Sequence, residues 1–181
     1  MIEKEKLIAS YDELSSASED AQEVYNKLVE TVTEDLDSVM QKVYEEIVMK
    51  DDVPIDTIQT LFIQLGNYVY FFGSRVEQVG LDSDLAENLM KEKYNLAYND
   101  NLIASDGKKR TANELTAIAE KYSLSETVLS DIYKRVYKTV KFKVDSAQSM
   151  VQSLSKVLSK RMQEFSFSKE FDNSSSKILM E

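Results

Sequence analysis

Residues 108 to 181 contain neither glycine nor proline, and the whole chain of 181 residues has only four glycines and one proline. Almost nothing in such a chain stops a helix once it has begun. Proline removes a backbone donor and clashes with the preceding turn, and a glycine inside a helix costs about 1 kcal/mol against alanine. No stretch shows the clear two-residue alternation of apolar and polar side chains that marks a strand. The expected fold is therefore all-α: a helical bundle of five or six helices, two of them long and amphipathic, with a flexible C-terminal tail.

The helices are placed by apolar spacing. Residues 2 to 14 form a short first segment with Leu7, Ile8, Tyr11 and Leu14 on one face. "SSASED" then supplies Ser and Asp caps for a long helix over 17–50, with Ala21, Tyr25, Leu28, Val32, Leu36, Val39, Val43 and Ile47 inward. A second stripe (Val24, Val29, Met40, Tyr44, Val48) widens that face, so the helix packs on more than one neighbour. Pro54 suits the first turn of the next helix. A further helix covers 84–99, Asp106-Gly107 marks a turn, and Thr111 with Glu114 reads as a capping box. After a re-start at Ser123 or Ser125, a second long helix runs to about Phe165. Its inner face is Leu129, Ile132, Val136, Val140, Val144, Ala147, Val151, Leu154 and Leu158.

"LFIQLGNYVYFFGSRVEQVG", residues 61 to 80, places Gly66, Gly73 and Gly80 at intervals of seven in the most apolar part of the chain. At about 100° per residue, Leu61, Leu65, Tyr68, Phe72 and Val79 share a face, and Gly66 and Gly73 fall at its margin. The expected role of Gly66 and Gly73 is close helix packing, and that of Gly80 is to end the helix before a new cap. Residues 57–74 carry no formal charge. Their polar members lie mostly on one face, so this is a half-buried helix and not a membrane span.

Cysteine and histidine are both absent. That removes disulfides, thiolates, the commonest general base and the commonest metal ligand. The paired acids Asp35/Asp37, Glu45/Glu46, Asp51/Asp52 and Asp82/Asp84 lack the spacing of a calcium loop and read as solvated. No phosphate loop, dinucleotide fingerprint or nucleophile elbow is present. The chain is expected to be no enzyme, with no catalytic residues, no metal and no cofactor. The charged start "MIEKEKLIAS" has no apolar signal core, which implies a cytoplasmic protein (the host cytoplasm if viral) with no membrane partner.

The net charge of −10 is unevenly spread. Residues 1–105 hold 8 Lys+Arg against 22 Asp+Glu, a net −14, whereas 106–181 hold 14 against 10, a net +4. The domain organisation expected is an acidic helical region over 1–105, a basic amphipathic region of the same domain over 106–165, and a tail over 166–181. On the second long helix Lys134, Lys138, Lys141 and Lys156 project together opposite the apolar stripe, with Arg135 and Lys160 beside them and Ser146, Ser149 and Ser153 on the same side. Lys108, Lys109 and Arg110 add charge in a loop ahead of a helix N-terminus, where a phosphate can bind. These nine residues are the candidate nucleic-acid contacts, since such a face can follow phosphates without reading sequence. Tyr94, Tyr98, Tyr133, Tyr137, Phe142 and Phe165 are candidate stacking surfaces. A solvated face balancing the acidic half is the structural alternative.

From Lys91 to about Phe167 the layout is "KEKYNLAY", the turn "NDNLIASDGKKRT", the helix "ANELTAIAEKYS" and the long helix from Val128. This resembles the phage recombination-mediator proteins that load a recombinase onto single-stranded DNA. The matching positions are Lys91, Lys93, Tyr94 and Tyr98, then Arg110, then the closing helix. The resemblance implies a non-enzymatic phage accessory protein, a helical oligomer that binds single-stranded DNA, a recombinase, or both. The other reading is an acidic helical protein-interaction module: a virion assembly factor or an inhibitor of a host protein, mimicking the charge of DNA. The partners expected are thus a protein (itself, a recombinase or a host protein) and single-stranded nucleic acid.

Overall fold

The computed structural model describes the backbone of residues 4–50 and 52–178, and side chains over 18–50 and 52–167. Among these residues the chain is almost wholly helical, broken only around 49–54, over 101–111 and at Ser123, and its one β feature is an isolated bridge between Ile103 and Lys109. Helix α1 is Lys4–Val43 and passes into a π-helical turn, Tyr44–Val48. Helix α2 is Ile55–Asp100, α3 is Ala112–Tyr122 and α4 is Leu124–Ile178.

Four α-helices therefore replace the expected five or six, because two expected breaks do not occur. "SSASED" lies inside α1, which joins the short first segment to the long helix (the side chains of Leu7, Ile8, Tyr11 and Leu14 lie outside the described residues). Ser and Asp favour helix ends but do not forbid a helix interior. Gly80 likewise lies inside α2, so it is no helix terminator. Three helices are long instead of two, at 40, 46 and 55 residues. Most of the expected tail belongs to α4, which reaches Ile178; residues 179–181 lie outside the described residues.

The local signals hold. Pro54 directly precedes α2 and its carbonyl accepts from the N–H groups of Thr57 and Ile58. Gly107 turns the loop after α2 with φ at 79°, the left-handed region that favours glycine. Thr111 caps α3, its side chain accepting from the Glu114 N–H while Glu114 reaches back to the Thr111 N–H at 2.8 Å. Ser123 closes α3 and α4 starts at the next residue.

The chain forms two compact units, which cut across the acidic and basic regions. The first takes Met1–Val32 and Ser74–Lys141, the second Thr33–Gly73 and Phe142–Glu181. In the first, Val29, Val79, Ala86, Leu115, Ala119, Val136 and Val140 are buried. Small residues let α2 and α4 approach there: Ser83 and Ser130 are buried, and a Cβ at Gly80 would meet the Tyr137 ring at 3.3 Å. In the second, Leu36, Val43, Ile58, Leu61, Leu65, Phe72, Val144, Ala147 and Leu154 are buried. Thr33, fully buried beside them, donates to Asp37 at 2.8 Å and accepts from Lys143 at 2.9 Å, while Lys143 also binds Asp37. The three side chains thus form a part-buried cluster in which the buried Thr33 hydroxyl both donates and accepts.

Among the described residues, nothing packs closely on Gly66 or Gly73. A Cβ at either would meet nothing within 4 Å, so the close-approach role belongs to Gly80. Tyr68, read as an inward residue, is also exposed.

Candidate nucleic-acid interface

The first stretch of α4 is inward at Val136 and Val140, so the helical period turns Arg135 and Lys138 away from the core. Both are exposed, and neither forms an ion pair among the described residues. Alongside runs α1 of the same unit, fixed by a 2.7 Å hydrogen bond between the Tyr25 and Thr139 hydroxyls. Between the two helices lies a groove of about 560 Å³. Ser18, Ala21, Gln22 and Tyr25 line it from α1; Val128, Asp131, Ile132, Arg135, Lys138 and Thr139 line it from α4. Two cations thus border a cleft whose floor combines hydroxyl, amide and apolar groups. Such a lining suits an anion carried on a partly apolar ligand, although Asp131 places one carboxylate on the same wall.

The other expected contacts fare differently. Lys134 is bound to Glu87 of α2 at 2.8 Å, and Lys91 reaches the same carboxylate. The Lys134 hydrogen bond, followed by that of Lys91, holds the Glu87 carboxyl down at about 2, and Glu87 in turn raises Lys134 above the usual lysine value. Lys134 therefore joins α2 to α4 and is not a loose surface charge. Arg110 braces the loop after α2, donating to the Asn101 carbonyl at 2.7 Å. Lys108 is exposed 3.4 Å from Asp106, and Lys109, also exposed, takes part through its backbone in the Ile103 bridge. At the start of α3, where a phosphate contact is expected, the chain places its own carboxylate: Glu114 accepts from the N–H and the hydroxyl of Thr111. The backbone and then the hydroxyl of Thr111 lower the pKa of that carboxyl.

Lys141 is exposed at the end of the first unit. Lys156 and Lys160 are exposed in the second unit, Lys160 lying 3.9 Å from Glu164. The serines near them turn inward on their own helix: Ser146, Ser149 and Ser153 each donate to the carbonyl four residues back. Of the aromatic residues, Tyr94 and Tyr98 stack on each other with centroids 6.3 Å apart, Tyr137 rests on Gly80, and Phe142 and Phe165 are exposed in the second unit.

Sequence reading did not single out Tyr25, Gln22 and Thr139 as site residues. Tyr25 falls on the inward stripe of α1, and nothing in the residue pattern says that α1 lies against this part of α4. No group of three or more acidic side chains that could hold a metal ion occurs among the described residues, and no described helix is long and apolar enough to cross a membrane. Compared with protein families, characterised proteins and solved structures, the chain matches none.

Proposed function

We propose that the protein is a non-enzymatic helical accessory protein that binds single-stranded nucleic acid through the Arg135–Lys138 groove. In the manner of the phage recombination mediators it resembles, it acts as an oligomer that assists a recombinase. The observation that carries this reading is the pair of exposed cations, without an ion pair among the described residues, on the rim of a groove containing Tyr25 and Thr139. Phosphates of a single strand would meet Arg135 and Lys138, with Lys141 next along the helix, while a base or sugar enters the cleft. Contacts of this kind hold the backbone without specifying sequence.

The test is binding of a fluorescent, unstructured oligonucleotide, read by anisotropy, to the parent chain and to an Arg135→Glu/Lys138→Glu variant. The expected result is micromolar or tighter binding by the parent and its loss in the variant, with helix content unchanged. Equal binding by both would remove the groove from the account. A second reading is favoured by the neighbouring surface of α1, where Glu19, Glu23 and Glu30 form an exposed, mainly acidic strip interrupted by Lys27. A parent chain that binds no oligonucleotide leaves that reading, an acidic protein-interaction module mimicking the charge of DNA.

A further inference from the structure

In the second unit, the part of α2 opposite its buried face carries Ile63, Gly66, Tyr70 and Gly73 at steps of three, four and three. That is the spacing of a coiled-coil seam. Ile63 is 50% exposed and Tyr70 78%, with Phe71 edge-on to the Tyr70 ring at 5.3 Å. Gly66 and Gly73 have nothing within 4 Å of where a Cβ would stand. The seam thus alternates two large exposed side chains with two glycines, each of which costs the helix about 1 kcal/mol that no contact among the described residues offsets.

We propose that this seam is where two copies of the chain pair, antiparallel and about a two-fold axis near residue 68. In that register residue i lies opposite residue 136−i, so Tyr70 of one copy faces Gly66 of the other and Ile63 faces Gly73. Each large side chain meets a glycine, the alternation of large and small that lets facing helices interdigitate. The two-fold symmetry makes the contact self-complementary, so that the same four residues serve both copies. The palindromic spacing, large residues at 63 and 70 set against glycines at 73 and 66, identifies the occupant as a second copy, and charge is consistent with it. Residues 1–105 carry a net −14, so apposing like surfaces elsewhere in this half brings acid against acid. Residues 57–74 hold no ionised side chain, so the four seam positions themselves meet no such repulsion, and the nearest acids, Asp56 and Glu77, lie just beyond its two ends. An acidic or basic partner helix would find no charge here to recognise. The inference rests on the oligomer in the proposed function and is independent of nucleic-acid binding.

Sedimentation velocity of the full chain, without nucleic acid, tests the proposal. A seam this short implies a monomer–dimer equilibrium with Kd of about 1–100 µM. Gly66→Leu and Tyr70→Glu are each expected to weaken it at least tenfold by the loss of the close fit, with helix content retained. The chain has no cysteine, so single engineered thiols report the register directly. Chains carrying Ile63→Cys mixed with chains carrying Gly73→Cys should oxidise to crosslinked heterodimers, while each alone crosslinks far less. A parent monomeric at about 100 µM, a dimer indifferent to both substitutions, or crosslinking within each cysteine variant in place of between them would overturn the proposal.

Discussion

The three helical glycines of α2 share a spacing but not an environment. At Gly80 the Tyr137 ring is 3.3 Å from a would-be Cβ, whereas Gly66 and Gly73 face open space. In dilute monomer, Gly66→Ala and Gly73→Ala should each raise the free energy of unfolding by about 1 kcal/mol, the ordinary helix-propensity gain. Gly80→Val should lower it by about 1–3 kcal/mol, since the added methyl groups are driven into the ring. Urea denaturation of the three variants measures both signs. Glu87 offers a second test at this scale. Its carboxyl titrates at about 2 against an ordinary 4.5, so folding favours the ionised form. The stability it supplies is complete above the ordinary carboxylate range and is lost as the pH falls from about 4.5 through about 2. Replacing Glu87 with Gln should flatten that part of the stability–pH curve, and should also release Lys134 from its raised pKa.

At the scale of the elements, what was legible in the sequence is what neighbouring residues decide. Thr111 and Glu114 sit three apart and fold into the capping box their spacing predicts. Thr111→Ala should cost about 1 kcal/mol and leave the start of α3 frayed, a loss that amide hydrogen exchange over 112–115 would register. Leu61, Leu65, Phe72 and Val79 of α2, and Val136, Val140, Val144, Ala147 and Leu154 of α4, are buried as their helical period requires. Helix ends are harder to read, because a weak stop signal yields wherever tertiary packing favours continuing the helix. Gly80 is the clear case: a residue that ends many helices instead admits the Tyr137 ring. The ion pairs between helices could not be read at all. Lys143 meets Asp37 across 106 residues of chain, and Lys134 finds Glu87 only because α2 and α4 cross at small side chains. That is why Lys134, aligned with Lys138 and Lys141 on a helical projection, has a different role from either.

For the molecule as a whole, the acidic and basic parts of the sequence do not become separate bodies. Each compact unit takes part of α1, part of α2 and part of α4, so each contains residues from both regions. Within these units some of the basic residues already answer acidic ones, as Lys134 does Glu87 and Lys143 does Asp37. Charges satisfied in this way hold helices together and are unavailable to a ligand. What remains exposed on the first unit's α4 is the short row of Arg135, Lys138 and Lys141, and the two leading members border the groove. Reversing Lys134 to Glu should therefore lower stability by placing like charge against Glu87, whereas reversing Lys138 should leave stability within about 0.5 kcal/mol of the parent. Thermal melts of the two single variants at low salt, where screening is weak, separate a structural cation from a ligand-facing one.

The central claim is that a few phosphates are held by this row, and the dependence of oligonucleotide affinity on salt tests it most directly. Each phosphate contact with a single strand contributes about −0.7 to the slope of log K against log salt concentration, so contacts from Arg135, Lys138 and Lys141 give about −2. The account predicts that value for the parent, reduced by about 0.7 when any one of the three is replaced by a neutral residue. A slope near zero, or one that persists when all three are neutral, would contradict it.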